Sequence, residues 1–353
     1  MRNKRSEQIA AHRPLYQDEL AHGLDRFFDP ERATCPWCTS ARLRRRLRTT
    51  NHPQRKPGNF VLDQCRNCGH VFQNPRLSAD GLDFYYRDCY DGLGEATMAR
   101  MAASPLAVKL NRARARALLP FSRPARWLDV GTGHGHFCAE ARRIHPRTEF
   151  HGLDWGEGVE IGVRNGRISR AYRGSFAGLA GQLTSQYDVV SMYHYLEHTL
   201  APRQELAAAH TALRRGGHLL IEVPDPQSTA ARILGRWWGP WLQPQHLHLI
   251  PLDNLCAALT EQGFTVVATN RREPHIPTDL TSAAVNVLNC LLPGEDLPWL
   301  PRRPGPVSRW VRRLSLLAAA PALLVLFGID ILLAPLTRRT RLSNAYRVIA
   351  RRD

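Results

Sequence analysis

At 353 residues, 43% of them hydrophobic, the chain is long enough for one large α/β domain with an appendage and too apolar to be disordered. Its formal net charge of +17 and pI near 10.2 point toward an anionic partner, either nucleic acid or a membrane surface. Arginine carries nearly all of that charge, with lysine only at Lys4, Lys56 and Lys109, and such a bias also follows from genomic base composition. The N-terminal MRNKRSEQIAAHRPLY is charged and lacks the apolar run of a signal peptide, so the expected setting is cytoplasmic, where cysteines stay free or bind metal.

The first thirty residues read as a polar leader with helical stretches. Cys35-Pro36-Trp37-Cys38 and Cys65-Arg66-Asn67-Cys68 then form two matched CxxC pairs with 26 residues between them. Two such turns aim four thiolates at one tetrahedral ion, so Cys35, Cys38, Cys65 and Cys68 are expected to hold a structural Zn2+. The segment between the pairs is strand-like and rich in arginine (Arg42 to Arg48). Cys89, Cys138, Cys256 and Cys290 are expected to be ordinary buried or partly buried thiols. Aromatic residues from Phe84 to Tyr90 follow, Gly92 and Gly94 mark a loop, and a helical pattern over 103–119 ends at Pro120 and Pro124.

Beyond that point strands and helices alternate. Strands are predicted at Arg126–Val130, Glu149–Leu153, Tyr187–Met192, His218–Val223 and Phe264–Ala268. Helices are predicted at Phe137–Ile144, Gln204–Leu213 and Leu252–Gln262, with a turn at Gly216-Gly217. This order implies βαβ units around a mostly parallel sheet, whose ligands bind at the carboxyl ends of the strands.

One of those ends is distinctive. The strand Leu128-Asp129-Val130 runs into Gly131-Thr132-Gly133-His134-Gly135 and then a helix. Alternate glycines permit positive φ and close approach of a ligand to the backbone, and the helix N-terminus favours an anionic group. Asp154, 23 residues past Gly131, ends the next strand, where a carboxylate can accept hydrogen bonds from two ribose hydroxyls.

The glycine spacing here, Asp-x-Gly-x-Gly-x-Gly, differs from the GxGxxG of nicotinamide-dinucleotide enzymes. It resembles motif I of class I S-adenosylmethionine-dependent methyltransferases, and further motifs occur in the family's order. Tyr187-Asp188-Val189-Val190 resembles the fourth strand and Leu196-Glu197-His198 the "LEH" signature. Leu213 to Ile221 resembles the glycine turn and fifth strand, and Ala345 to Ala350 the last strand. The closest branch by these motifs is the ubiquinone-O-methyltransferase-like one. The resemblance implies an α/β fold with a Rossmann-like seven-stranded, mostly parallel sheet and an antiparallel last strand. A small N-terminal zinc ribbon and a C-terminal apolar helical insertion would be added to it. It also implies that Asp129, Gly131, Gly133, Gly135 and Met192 surround the methionine part of S-adenosyl-L-methionine and that Asp154 holds its ribose. Trp155 would pack on the adenine, with Ser175 and Phe176 at the adenine edge.

Methyl transfer to a hydroxyl needs orientation and a base. His194, Glu197 and His198, just past the fourth strand, are the catalytic candidates, with either histidine able to act as base. His194-x-x-Glu197-His198 also fits an HxxEH zinc-protease pattern, but no protease context surrounds it. His246 and His248 could complete a metal site there, although clustered histidines more often satisfy local hydrogen bonds. Pro224-Asp225 is expected to line the acceptor pocket, and Arg236 to Trp241 to form a lid or wall over it.

Leu314–Ile329 has no charge, and apolar character resumes after Asp330. Sixteen helical residues span only ~24 Å, short of a bilayer core, and Pro321 and Pro335 are expected to interrupt any single helix. Arginines flank both sides (302, 303, 309, 312 and 313 before; 338, 339 and 341 after), which would keep both flanks cytoplasmic. A re-entrant or interfacial hairpin on the inner face of the membrane, a homodimer interface and a buried subdomain all fit. The expected organisation is leader, ribbon and linker in 1–100, a methyltransferase core in 101–271, an apolar helical insertion in 272–340 and the last core strand in 341–353. The expected activity is methylation of a small-molecule or glycan acceptor, lipid-linked and at oxygen. The competing readings are an RNA methyltransferase that uses the basic ribbon and a non-catalytic cofactor-binding scaffold.

Overall fold

The computed structural model describes residues 2–88, 93, 95–337 and 341–353, and the chain divides into two compact units. The expectations for Cys89, Tyr90, Gly92, Gly94, Arg338 and Arg339 lie outside the described residues.

The first unit gathers 1–95, 227–247 and 276–337. It opens with α1 (Arg2–Ala21) and continues through the antiparallel strands β1 (Leu43–Thr49), β2 (Phe60–Cys65) and β3 (Val71–Gln73). α2 (Ala79–Tyr86) brings Phe84 and Tyr85 against Phe27 in an aromatic cluster, where edge-to-face contacts add to area burial. Buried Lys56 donates to the carbonyls of Phe84 and Arg87 and lies over the rings of Tyr16, Phe84 and Trp299. The short α9 (Thr229–Ile233) precedes the tryptophan run, and α11 (Asp279–Leu291) and α12 (Pro306–Thr337) complete the unit.

Three expectations need correcting here. Trp238 and Trp241 pack edge-to-face at 4.9 Å, both are buried inside this unit, and Asn286 of α11 donates to the Trp237 carbonyl. The run is therefore interior packing rather than a flexible lid. The apolar stretch is one continuous 32-residue helix that contains both Pro321 and Pro335. A proline inside a helix removes one backbone bond and crowds the preceding turn, and the helix continues past both positions without those bonds. Cys290, at the end of α11, is exposed rather than buried.

The second unit gathers 96–226, 248–275 and 338–353 around a seven-stranded sheet of order β10-β11-β8-β7-β4-β5-β6. Its strands are β4 (Arg126–Val130), β5 (Glu149–Asp154), β6 (Arg170–Arg173), β7 (Tyr187–Tyr193), β8 (Leu213–Pro224), β10 (Phe264–Asn270) and β11 (Ala345–Arg352), with a two-residue β9 (His248–Leu249) apart from the sheet order. β6, β5, β4, β7 and β8 run parallel, and β11 inserts antiparallel between β8 and β10. The helices are α3 (Glu95–Ala102), α4 (Pro105–Arg116), α5 (His136–Arg142), α6 (Gly158–Arg164), α7 (Phe176–Leu179), α8 (Pro202–Ala212) and α10 (Leu252–Glu261). Trp127, Phe137, Phe150, Val189, Leu220 and Ile349 belong to one buried cluster, as expected for central strands covered on both faces. β6 and α6 escaped the sequence reading, because Arg170-Ala-Tyr-Arg is a short, polar edge strand without alternation. Gly216 and Gly217, expected as a turn, lie inside β8. There Gly216 takes φ 76° and the register with β7 jumps between Tyr187 and Val189, so the glycines form a kink in a longer strand.

Candidate active site

The strand register sets the site. Leu153, Val130, Met192 and Ile221 are successive partners across β5, β4, β7 and β8, so the residues after them, Asp154, Gly131, Tyr193 and Glu222, form the next row at the carboxyl edge. Cofactor and acceptor candidates therefore stand side by side along one edge.

On the β4–β5 side the backbone does most of the work. Gly131, Gly133 and Gly135 all have positive φ (75°, 51° and 74°). A Cβ on Gly131 would come within 2.8 Å of the Tyr195 ring, whereas one on Gly133 would meet nothing within 4 Å. The first glycine is thus required by packing and the second faces open space that a ligand can fill. The Gly131 amide donates to the Leu153 carbonyl at 2.8 Å, and the Gly133 amide donates to Asp154 Oδ2 at 2.8 Å. The Gly156 amide donates to Asp154 Oδ1 at 3.1 Å. Asp154 thus organises the glycine loop, and each carboxylate oxygen keeps lone-pair capacity for hydroxyl donors. Gly135 caps α5 in the left-handed conformation.

Asp129 is buried beneath the loop. Its Oδ1 accepts from Ser191 Oγ at 2.6 Å, and Trp127 Nε1 donates to the same Ser191 oxygen at 2.9 Å. Burial lifts the Asp129 pKa to about 6, against the lowering effect of hydrogen bonds from Ser191 and Thr132. Trp155 is 67% exposed, an unusual position for indole and one suited to covering a flat ligand. Ser175 Oγ caps α7 by accepting from the Gly178 amide at 3.1 Å in an exposed setting, which leaves its O–H as a donor. Phe176 and Met192 are fully buried, Met192 in the row before the strand tips.

On the β7–β8 side the side chains do the work. His194 has φ 52°, its amide donates to the Glu222 carbonyl, and its ring lies between two carboxylates. Nδ1 is 3.2 Å from Glu197 Oε1, and Nε2 is 3.5 Å from Glu222 Oε1. Burial alone would lower the His194 pKa, but Glu197 and Glu222 outweigh it and push it up to about 9. Glu222, 1% exposed in its side chain, also accepts from Arg114 (2.6 and 3.0 Å) and from Arg347 (3.0 and 2.9 Å). Burial works against its charge, yet Arg114 and Arg347 hold it well below the usual carboxylate range. His198 ends the short 3-10 turn Leu196–His198 and is half-buried. Tyr195, which packs on Gly131, donates to Glu205 Oε2 at 3.1 Å. Asp225 is buried and paired with Arg271 at 2.7 Å, so its carboxylate is committed to that pair.

The geometry brings Asp129, the three glycines, Asp154, Met192, His194, Glu197 and His198 to neighbouring strand ends. Ser175 and Phe176 follow the carboxyl end of β6, next to β5, where Ser175 caps α7 and Phe176 is buried. Sequence reasoning missed Ser191, Tyr195, Arg114, Glu222 and Arg347. Of these, only the acid inside the apolar run Leu219–Val223 left a signal, since a charge within a buried strand demands partners.

Residues 102–269, just under half of the chain, match the family described as Methyltransferase domain. Most of that stretch lies in the second unit, whose seven-stranded sheet has the fold of Rossmann-like methyltransferases. No curated protein matches the chain. Among solved structures, a SAM-dependent methyltransferase from Archaeoglobus fulgidus is similar at 20% identity, with 69% of this chain and 94% of that one covered and a TM-score of 0.44. An O-methyltransferase family protein from Burkholderia thailandensis matches at 19% identity, covering 54% of this chain and 68% of that one, with a TM-score of 0.36. The CurJ carbon methyltransferase matches at 17% identity over 73% and 58% of the two chains, with a TM-score of 0.41.

In the first unit, the four candidate ligand sulfurs lie within 4.8 Å of one another. Cys35 Sγ is 3.7 Å from Cys68 Sγ, and Cys38 Sγ is 3.6 Å from Cys65 Sγ. Four thiolates at 2.3 Å around a tetrahedral ion are separated by about 3.8 Å, so the cluster fits zinc and is far too open for disulfides. Each pair sits on a tight turn, in which the Thr39 amide donates to the Cys35 carbonyl and the Gly69 amide to the Cys65 carbonyl. Burial pushes the Cys35 thiol up to about 11 and raises Cys68 as well, whereas at Cys38 burial is outweighed by hydrogen bonds from the Ser40 backbone and neighbouring thiols, which bring it down to about 7.

Proposed function

We propose that this methyltransferase acts on a hydroxyl oxygen of a small-molecule or glycan acceptor, lipid-linked and presented at the inner face of the cytoplasmic membrane. The observation that supports this most is the row of strand tips, in which a backbone cradle stands next to a buried imidazole–carboxylate cluster. Asp129, Gly131, Gly133 and Gly135 would enclose the methionine end of the cofactor, Asp154 would hold its ribose and Trp155 would cover its adenine. Met192 would form the floor, with Ser175 and Phe176 shaping the adenine edge through α7. S-adenosyl-L-methionine supplies the activated methyl group on its sulfonium.

His198 is the base in this reading. His194 cannot share that role while both of its ring nitrogens face carboxylates, because a base needs a nitrogen lone pair turned toward the acceptor. His194 and Glu197 instead position the turn that carries His198. The four cysteines hold a structural Zn2+ that closes the ribbon.

The deciding experiment is transfer of labelled methyl into lipid, glycan, metabolite and RNA fractions. Label is expected in lipid-linked or small-molecule material. His198→Ala should lose most turnover while binding S-adenosylmethionine as the parent does. Label confined to RNA would replace this reading with the nucleic-acid one, which draws on exposed Arg42, Arg45, Arg46 and Arg48 along β1. Against that alternative, Trp37, the aromatic best placed in sequence to stack on a base, is buried in the ribbon. Cofactor binding with no transfer to any fraction would favour the scaffold reading.

A further inference from the structure

α12 is apolar over its length yet barely covered, with only 6% of its most apolar 18-residue window buried inside the protein. Leu314, Leu317, Leu324, Val325, Leu332 and Leu336 are each more than half exposed. From Leu314 to Thr337 the one charged residue is Asp330, and it is turned inward. Its carboxylate accepts from the Leu280 amide (3.0 Å), the Thr281 amide (2.9 Å) and Thr281 Oγ (2.7 Å) at the first turn of α11. At the other end of the pair, Arg312 donates to the Pro293 carbonyl, Asn289 Oδ1 and Glu295 Oε1. The two helices are therefore an antiparallel hairpin in which the polar groups of α12 are answered by α11 and the loop after it, leaving an outer face of hydrocarbon alone.

Chain topology limits how such a face can meet lipid. β11, after α12, is paired with β8 and β10, both before it. A single membrane crossing by α12 would separate strands of one sheet, so both ends of the helix stay on one side. An amphipathic helix lying in an interface needs a polar face toward water. α12 has none beyond the arginines near its start, and its inner side is taken up by packing on α11. Exposed residues near the start of α12 include Arg309, Trp310 and Arg313 beside Val307 and Val311, with the Arg313 guanidinium 5.6 Å from the Trp310 ring, a pairing suited to the headgroup level. Exposed Arg302, Arg303 and Arg341 add positive charge around both ends of the helix.

We propose that α12 is an in-plane lipid-binding helix, its outer face in the acyl region of one leaflet of an anionic bilayer and its flanking arginines on lipid phosphates. This deepens the membrane-face reading above and names the element and the lipid charge it needs. Lipid fits better than a second copy of the chain, because a second copy brings the same arginines and no exposed acid on this helix, whereas anionic headgroups supply the missing countercharge.

The test uses the full chain and sucrose-gradient flotation with vesicles of phosphatidylcholine, with and without one quarter phosphatidylglycerol. The parent should float with the anionic vesicles and much less with the neutral ones. Leu317→Glu with Leu324→Glu should cut flotation ~tenfold or more, since each carboxylate would have to enter hydrocarbon. Calorimetric affinity for S-adenosylmethionine, unchanged in the double variant, would show an intact fold and keep this result separate from any failure of the acceptor reading. Should that variant lose cofactor binding, Arg309→Glu with Arg313→Glu takes its place, with the same expected loss on anionic vesicles. A parent that stays at the bottom with anionic vesicles at low salt, or variants that float as it does, would overturn the proposal. A vesicle-independent dimer broken by Leu317→Glu with Leu324→Glu, with no flotation, would assign the face to a second copy.

Discussion

The two halves of the site solve the same problem with opposite means. On the β4–β5 side, amides of Gly131, Gly133 and Gly156 and the carboxylate of Asp154 make a self-contained cradle within one short stretch of chain. On the β7–β8 side, Glu222 is held by Arg114 from α4, Arg347 from β11 and His194 from the end of β7, with up to 125 residues between partners. The first half depends on the absence of side chains and the second on the exact balance of their charges. A cradle of backbone should therefore be broken by adding a single carbon, and a charge cluster by removing a single charge.

The largest effect is expected from Glu222→Ala. It would leave the Arg114 and Arg347 guanidiniums buried without their shared carboxylate, a loss of ~3–5 kcal/mol by the usual cost of breaking a buried ion pair. Thermal unfolding should show a fall of several degrees, with Glu222→Gln in between. A variant within ~2 °C of the parent would show that the cluster does not support the sheet edge.

On the other half, Gly131→Ala should cost ~2–4 kcal/mol, combining a left-handed backbone with a contact of 2.8 Å to the Tyr195 ring. The effect should appear first as lost affinity for S-adenosylmethionine by calorimetry. Gly133→Ala, with a positive φ but open space around it, should be milder. Equal losses at the two positions would mean that packing on Tyr195 does not distinguish them.

This contrast also explains what could be read from the chain alone. The glycine loop, Asp154 at its strand end and the alternation of strands and helices were legible because their chemistry is local: positive φ, strand ends and helix starts follow from neighbouring residues. The four cysteines were legible for the same reason, as two tight turns. Glu222 was hidden because its partners come from α4 and β11, and no spacing links Arg114 to Arg347. His194 was read as one of two candidate bases, with Glu197 beside it, and no sequence spacing shows that Glu222 faces its other ring nitrogen. The tryptophan run was read as a lid or wall because aromatic density does not distinguish an exposed surface from the interior of the first unit. α12 was read as broken at Pro321, where propensity pointed one way and a long apolar helix went the other.

Asp154→Ala sharpens the comparison from within the cradle. Loss of charge-assisted bonds to the ribose should weaken cofactor affinity by ~1–3 kcal/mol. The same change releases the Gly133 and Gly156 amides, so Asp154→Asn is the useful partner: it retains an acceptor for the loop but loses the charge. Should Asn restore the loop and not the affinity, the carboxylate acts on the ligand. Unchanged affinity in both variants would remove Asp154 from the site.

The smallest effect, and the one most specific to the charge cluster, is its pH dependence. The His194 pKa is raised from 6.5 to about 9 by Glu197 and Glu222 against the opposing effect of burial. A raised pKa means that the folded state binds the proton more tightly, so the stabilisation is complete below about pH 6.5 and is lost as pH climbs through 9. Glu222 works the other way: held down by Arg114 and Arg347, it stabilises above its ordinary range and loses that contribution in acid. Their overlap places the cluster's best stability between the two, in mildly acidic solution. His194→Asn retains tolerance of the left-handed backbone but cannot titrate, so the parent should lose ~1 kcal/mol more than the variant between pH 6.5 and 9, a figure reduced for the part of the ring that meets water. Parallel melting curves for the two proteins across that range would mean that His194 is neutral in the folded enzyme, and it would then return to candidacy as the base.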